Sequence, residues 1–243
     1  EGGNPVGTIY QLPQTIQARG VLFTEVVNKP IILSAIEDVT TGIPLDITVL
    51  LPSGEGEANI QLGEQQQQTQ RGDYPQLAWL RFTIPPGQGG ETNLIVDGET
   101  IGTYTVHDPP RIFEKPEFEQ SIGAIYDGVG LLEGVNLVQQ NQQLGVSLVW
   151  KATATPTTAY TVFVQLLGPD GQVIAQSDRM PVEDTRSTTG WVEGEYLIDT
   201  HLLNIPEEIP IGTQLIAGLY DAAQPNFPRL LTTEGQDFVK IQN

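Results

Sequence analysis

Residues 146–150, 160–167 and 172–177 alternate between apolar and polar side chains, and Pro169-Asp170-Gly171 separates the last two runs. A period of two sends successive side chains to opposite faces, so each run predicts a strand with one buried face. The Pro-Asp-Gly triplet between them predicts a tight turn. The same pattern extends through the chain. Leu45, Ile47, Val49 and Leu51 alternate with Asp46, Thr48 and Leu50 before Pro52-Ser53-Gly54. Ala78, Leu80, Phe82 and Ile84 alternate with Trp79, Arg81 and Thr83 before Pro85-Pro86-Gly87. Residues 93–96 and 101–106 flank Asp97-Gly98, a strong signal for a two-residue hairpin. In the second half, residues 112–116, 122–126, 129–138, 195–199, 215–220 and 237–241 add further strand-like runs, and no stretch carries a helical period. Short strands at regular spacing predict an all-β chain of two tandem antiparallel β-sandwiches, Ig-like or jelly-roll-like.

His107-Asp108-Pro109-Pro110-Arg111 marks the expected boundary, because two prolines hold the backbone extended and cannot join a ladder. It separates an N-terminal sandwich, residues 1–108, from a C-terminal one, residues 109–243. Residues 63–73 are polar, glutamine-rich and aperiodic with glycine near both ends, and read as an exposed loop. Residues 4–18 are uncharged and punctuated by proline. They read as an extended segment able to pair with the open sheet edge of a neighbouring molecule, with a simple first strand as the alternative.

The 243 residues carry 30 acidic and 11 basic side chains, a net charge of −19 that is negative in both halves. Such a field repels nucleic acid and anionic headgroups, which excludes nucleic acid as a partner. The acids read as a solvated surface, with divalent-cation binding as the alternative. The absence of cysteine excludes disulfides, thiolate zinc sites and cysteine nucleophiles. Scarce lysine, abundant glycine and proline and strong acidity together point to an exported bacterial protein, secreted or at the cell surface. No 18-residue apolar run is present, so no membrane insertion is expected. The first residues have neither the basic nor the apolar region of a signal peptide, which reads as a mature or trimmed chain.

Residues 111–241 carry a resemblance. Leu131-Leu132-Glu133-Gly134, Leu148-Val149-Trp150-Lys151-Ala152, Tyr160-Thr161-Val162-Phe163-Val164, Trp191 with Gly194-Glu195 and Asp199, and Gly218-Leu219-Tyr220-Asp221 follow one another in a distinctive order. This order resembles the soluble β-sandwich region that follows the membrane segments of some bacterial mannosyltransferase-type glycosyltransferases. The resemblance implies an extracytoplasmic sandwich near glycans. It carries no catalysis, since the family's reaction depends on its multi-pass portion. The family pattern has a histidine after the Val-Phe-Val strand, where this chain has Gln165.

Candidate chemistry is sparse. His107 and His201 read as incidental surface histidines, and no Gly-x-Ser-x-Gly elbow supplies a triad serine. Glu193 and Glu195 would share a face if their segment were a strand, the arrangement a carboxylate pair needs for glycosidase work. Asp178, Asp184 and Asp199 concentrate oxygen donors that a structural calcium ion would use. Trp79 and Trp191 are the glycan-stacking candidates, with Glu193 and Glu195 beside Trp191 as polar contacts, whereas Trp150 reads as core. Trp191 also reads as a plug closing one end of the sandwich. The expectation is a non-catalytic, exported structural or adhesive protein, without a cofactor unless calcium is held, that contacts itself, other surface proteins or glycans. The alternative is a soluble glycan-binding accessory domain of a membrane glycosyltransferase, and a glycan-cleaving enzyme is a third reading.

Overall fold

The computed structural model describes residues 28–34 and 38–241. The segment 4–18, read as a strand donor, lies outside the described residues. Among the described residues the chain is all-β, with one 3-10 turn at Thr188–Gly190. It divides into two compact units. The first runs up to Val39 and includes Pro44–Phe82 and Gly90–Val106, and the second comprises Thr40–Ile43, Thr83–Gly89 and His107–Asn243. The second unit therefore takes two short segments from within the span that the sequence assigns wholly to the N-terminal sandwich.

In the first unit the strands are β1 (Ile31–Ile32), β2 (Val39–Thr40), β3 (Pro44–Leu51), β4 (Glu57–Leu62), β5 (Gln65–Gln70), β6 (Gln76–Thr83), β7 (Gly90–Val96) and β8 (Glu99–His107). They form a three-stranded sheet, β1-β3-β6, and a five-stranded sheet, β2-β8-β7-β4-β5. The alternating positions of β3 and β6 are buried as their pattern predicts: Ile47, Val49 and Leu51, and Ala78, Leu80 and Phe82. Asp97 and Gly98 both have positive φ, 49° and 85°, as a two-residue hairpin turn that follows the strands' twist requires. The Asp97 carboxylate also accepts a 2.9 Å bond from the Asn59 amide, fixing the turn to β4.

The glutamine-rich segment is not a loop. Residues 65–70 pair with β4 in full register, from Leu62 opposite Gln65 to Glu57 opposite Gln70. The amides hold this edge strand from the side: Gln68 Nε2 donates to Asn59 Oδ1 and Gln70 Nε2 to Glu57 Oε1, each at 2.6 Å. A strand whose two faces are both polar shows no hydrophobic period. Cross-strand amide bonds replace the buried face here, so periodicity could not find it.

The second unit contains β9 (Gln120–Tyr126), β10 (Gly130–Gln140), β11 (Gln143–Ala152), β12 (Tyr160–Leu167), β13 (Val173–Arg179), β14 (Tyr196–Asn204), β15 (Gln214–Asp221) and β16 (Val239–Ile241). Two four-stranded antiparallel sheets result, β14-β11-β10-β9 and β13-β12-β15-β16. Their inner faces meet in one apolar core that includes Tyr126, Leu132, Val146, Leu148 and Trp150 from the first sheet and Val162, Val164, Leu166, Ala217 and Leu219 from the second. Residues 112–116 do not form the expected strand, and only an isolated bridge joins Ile112 to Tyr196.

Candidate functional site

The tryptophan-acid run is a turn, not a strand. Glu195 N donates to Val192 O at 2.9 Å and Gly194 N to Ala152 O at 2.9 Å, and β14 begins only at Tyr196. Glu193 and Glu195 therefore do not share a strand face: Glu193 is exposed and Glu195 is 1% exposed. Trp191 is fully buried and packs its ring 5.9 Å from that of Trp150, with its indole N–H donating to Arg186 O at 3.3 Å. With no exposed ring face, it fills the core where a sugar-stacking platform was one expectation.

Glu195 is the centre of a buried ionic cluster. Its Oε2 accepts 2.7 Å and 3.1 Å bonds from Arg111 Nη1 and the Val192 amide, while Arg186 Nη1 lies 3.4 Å from its Oε1. Arg111 also donates to Gly190 O and to Asp108 Oδ1, at 3.0 and 3.1 Å. Asp108 in turn accepts from Thr41 Oγ1 at 2.7 Å and the Gly87 amide at 3.0 Å. Partial desolvation pushes the Asp108 carboxyl up, but the bonds from Thr41, Arg111 and Gly87 together outweigh it and hold it below its ordinary value. Burial pulls the Arg186 guanidinium down against the attraction of Glu195. Two arginines around one carboxylate leave Glu195 no freedom to act as a glycosidase acid. The cluster knits together segments distant in sequence.

A second polar cluster was not expected. The inward face of β14 carries Leu197, Asp199, His201 and Leu203, all buried. His201, read as a surface residue, is fully buried because β14 points it at β13 across the edge of the sandwich. There His201 Nδ1 meets Ser177 Oγ at 2.9 Å, its Nε2 meets Asp199 Oδ2 at 3.0 Å, and the Val182 amide donates to Asp199 Oδ1 at 2.8 Å. The three residue types are those of a hydrolytic triad. Here they satisfy one another where the sandwich closes, since buried polar groups must be hydrogen-bonded. The sequence signal was two polar residues at i and i+2 in an otherwise apolar strand face. Ser177 became visible only through the sheet pairing, which sets it opposite Val164 on the core side of β12.

The outer face of the second sheet gathers a third group. Arg229 stacks its guanidinium 4.4 Å from the centre of the Phe163 ring and reaches Gln165 Oε1 and Asp237 Oδ2, each at 3.3 Å. Gly218 lies beneath this stack, where an added Cβ would fall 2.6 Å from Phe163. Tyr220 packs on Phe163 on one side and on Phe227 on the other, and Phe227 is 62% exposed. Asp178, paired with Phe163, has its carboxyl pushed up by desolvation, against the attraction of His201 and Arg229. Gln165 thus lies at a partly exposed aromatic and arginine surface.

The remaining candidates are dispersed. Trp79 is 66% exposed on β6, beside Arg81, whose guanidinium grips Asp46 through two 2.7 Å bonds. His107 is exposed. Asp178, Asp184 and Asp199 do not come together for calcium. Asp199 is committed to His201 and Val182, Asp184 accepts from the Met180 amide at 3.0 Å, and the described residues hold no group of three or more donors able to bind a metal ion.

No family model and no curated protein matches the chain. Among solved structures it is similar to an FMN-binding β-glucuronidase from Facaelibacterium prausnitzii L2-6, at 10% identity and a TM-score of 0.22, covering 79% of this chain and 29% of that one. It is similar also to a β-glucuronidase from Ruminococcus gnavus in complex with C6-substituted uronic isofagomine, at 10% identity and a TM-score of 0.22, covering 74% and 34%. The chain thus spans about a third of these enzymes' length, and likeness at this level carries no argument about activity.

Proposed function

We propose that the chain is a non-catalytic, exported bacterial cell-surface or extracellular protein whose β-sandwiches serve a structural or adhesive role by contacting glycans or copies of themselves. One observation carries the reading: the acid, base and hydroxyl groups that could do chemistry are spent inside the fold. Asp199 and His201 have no exposed surface and Glu195 has 1%, so a substrate has no access to them. What faces solvent instead is contact surface, with Trp79, Phe113 and Phe227 each more than half exposed on an otherwise strongly acidic molecule.

Light scattering across a concentration series, with negative-stain microscopy, tests the reading. The expected result is concentration-dependent association or attachment to glycan-coated surfaces. A chain that is strictly monomeric, binds no glycan surface and turns over an ester or glycoside substrate would overturn it, provided Ser177→Ala or Glu195→Gln abolishes the turnover.

A further inference from the structure

At the pole of the second sandwich where β10 turns into β11, a cleft of about 600 Å³ opens between the hairpin tip and the end of β14. Its polar wall is made of carboxamides: Gln140, Asn141, Gln142 and Gln143 from the tip and Asn204 from β14. Its apolar part comes from Ile174, Ile205 and Pro206, and Ile205 is 4% exposed. No charged side chain lines it, although the chain carries a net charge of −19.

The backbone around this wall is fixed. Gln140 pairs with Gln143, and Asn141 takes the left-handed conformation, φ 54°, that the turn between them needs and that asparagine tolerates. Gln143 pairs with Asn204, and the Ile205 amide donates to Gln142 O at 2.8 Å, which ties the tip to the end of β14. The side chains are largely unspent. A 3.4 Å contact from Gln143 Nε2 to Asn204 Oδ1 is the one hydrogen bond these five amides make among the described residues.

We infer that this cleft binds a neutral, hydroxyl-rich ligand, a short oligosaccharide without uronate or phosphate groups. Each primary amide presents two donors and an acceptor, which matches sugar hydroxyls that both donate and accept. Half-buried Ile174 and exposed Pro206 offer the apolar surface against which the C–H face of a pyranose packs, over buried Ile205. The lining has no cation to hold an anionic sugar, and the overall field repels one. The volume lies within the range of about 300–1,000 Å³ that small-ligand clefts occupy. The inference deepens the glycan-contact part of the function proposed above and rests on it.

The test is to titrate the full chain with cellotriose, mannotriose and maltotriose, and separately with digalacturonate, following backbone and side-chain amide NMR signals. Saturable shifts at residues 140–143 and 204 with at least one neutral trisaccharide, and none with digalacturonate, are expected. Gln140→Ala with Gln142→Ala should weaken that binding about tenfold or more while leaving the melting temperature unchanged, since both side chains are exposed, one at the end of β10 and one in the turn. The inference is overturned if no neutral trisaccharide moves these signals, if binding survives the double substitution, or if digalacturonate binds as tightly. Shifts that follow protein concentration instead of sugar would assign the cleft to contact between copies and overturn it too. Light scattering on the same samples separates the two readings: association with a silent cleft sinks this inference alone, and a silent, monomeric chain that binds no glycan surface and turns over an ester or glycoside substrate sinks both.

Discussion

Glu195 illustrates how far a residue's role departs from its local sequence. In the run Trp191 to Glu195 it looks like one of two exchangeable acids, yet it lies 1% exposed between Arg111, 84 residues away, and Arg186. Removing one partner of a buried pair strands the other charge, typically at a cost of about 3–5 kcal/mol. Arg111→Met should therefore destabilise the second unit by about that much. Arg111→Met combined with Glu195→Gln should cost clearly less than the sum of the singles, as a double-mutant cycle in urea would show. Trp191→Ala should cost about 3–5 kcal/mol, as loss of a large aromatic side chain from a core does. An unchanged melting temperature would remove the packing role. Asp178 is the opposite case. Its folded carboxyl is raised above its unfolded value, so folding is most favoured below the unfolded value and the contribution fades as pH rises through the folded one. Asp178→Asn should accordingly raise the melting temperature at neutral pH, by about 1–2 °C for a partly solvated group, with the gain vanishing in acid. Asp108 has the other sign: its lowered carboxyl contributes stability above the ordinary carboxylate value, and that contribution is lost as pH falls through the folded one.

At the level of elements, legibility follows from what each strand uses to hold its place. β3 and β6 each bury one apolar face, so their period of two was written in the sequence, whereas β12 and β15 bury consecutive residues and read as apolar runs. β5 is held by glutamine side-chain bonds and β4 by its neighbours on both sides, which leaves β5 with no hydrophobic period at all. The polar cluster of Asp199, His201 and Ser177 was hidden for a different reason: it depends on which strand edges meet, and no local window contains that information. The segment linking β13 to the 3-10 turn is also distinctive. Val182, Glu183 and Asp184 are consecutive residues of positive φ, 54°, 55° and 64°, a conformation that costs non-glycine residues roughly 1 kcal/mol each. The Val182 amide bound to Asp199 and the Met180 amide bound to Asp184 hold this strap in place. Exposed Glu183 is the position to relax. Glu183→Gly should stabilise by about 0.5–1 kcal/mol and Glu183→Val should destabilise, as thermal unfolding would reveal. Equal effects from both would mean that the strap is not held left-handed.

For the molecule as a whole, charge governs association. With a net charge of −19 and a sequence pI near 4.2, like-charge repulsion opposes contact between copies at neutral pH. Raising salt to about 1 M shortens the screening length to about 3 Å. Light scattering should therefore show more association at high salt than in dilute buffer, and association that weakens with salt would mean that specific ion pairs hold copies together. The charge and the absence of cysteine were readable from composition alone, whereas the inclusion of residues 40–43 and 83–89 in the second unit was not.

The place of residues 40–43 in the second unit has a kinetic consequence. Gly42 and Gly190 pass so close that a Cβ on Gly42 would fall 2.0 Å from Gly190 Cα, and the Thr189 hydroxyl donates to Gly42 O across 147 positions of sequence. Contacts closing loops of that length are expected late in folding, after the local hairpins of the second unit have formed. An interaction made after the transition state governs how fast the native state is left and hardly affects how fast it is reached. Gly42→Ala should thus accelerate unfolding in stopped-flow denaturant jumps by well over tenfold while barely slowing refolding. The seam between residues 42 and 190 then acts as a latch on the lifetime of the folded state, the quantity that limits proteolysis when cleavage outpaces reclosing.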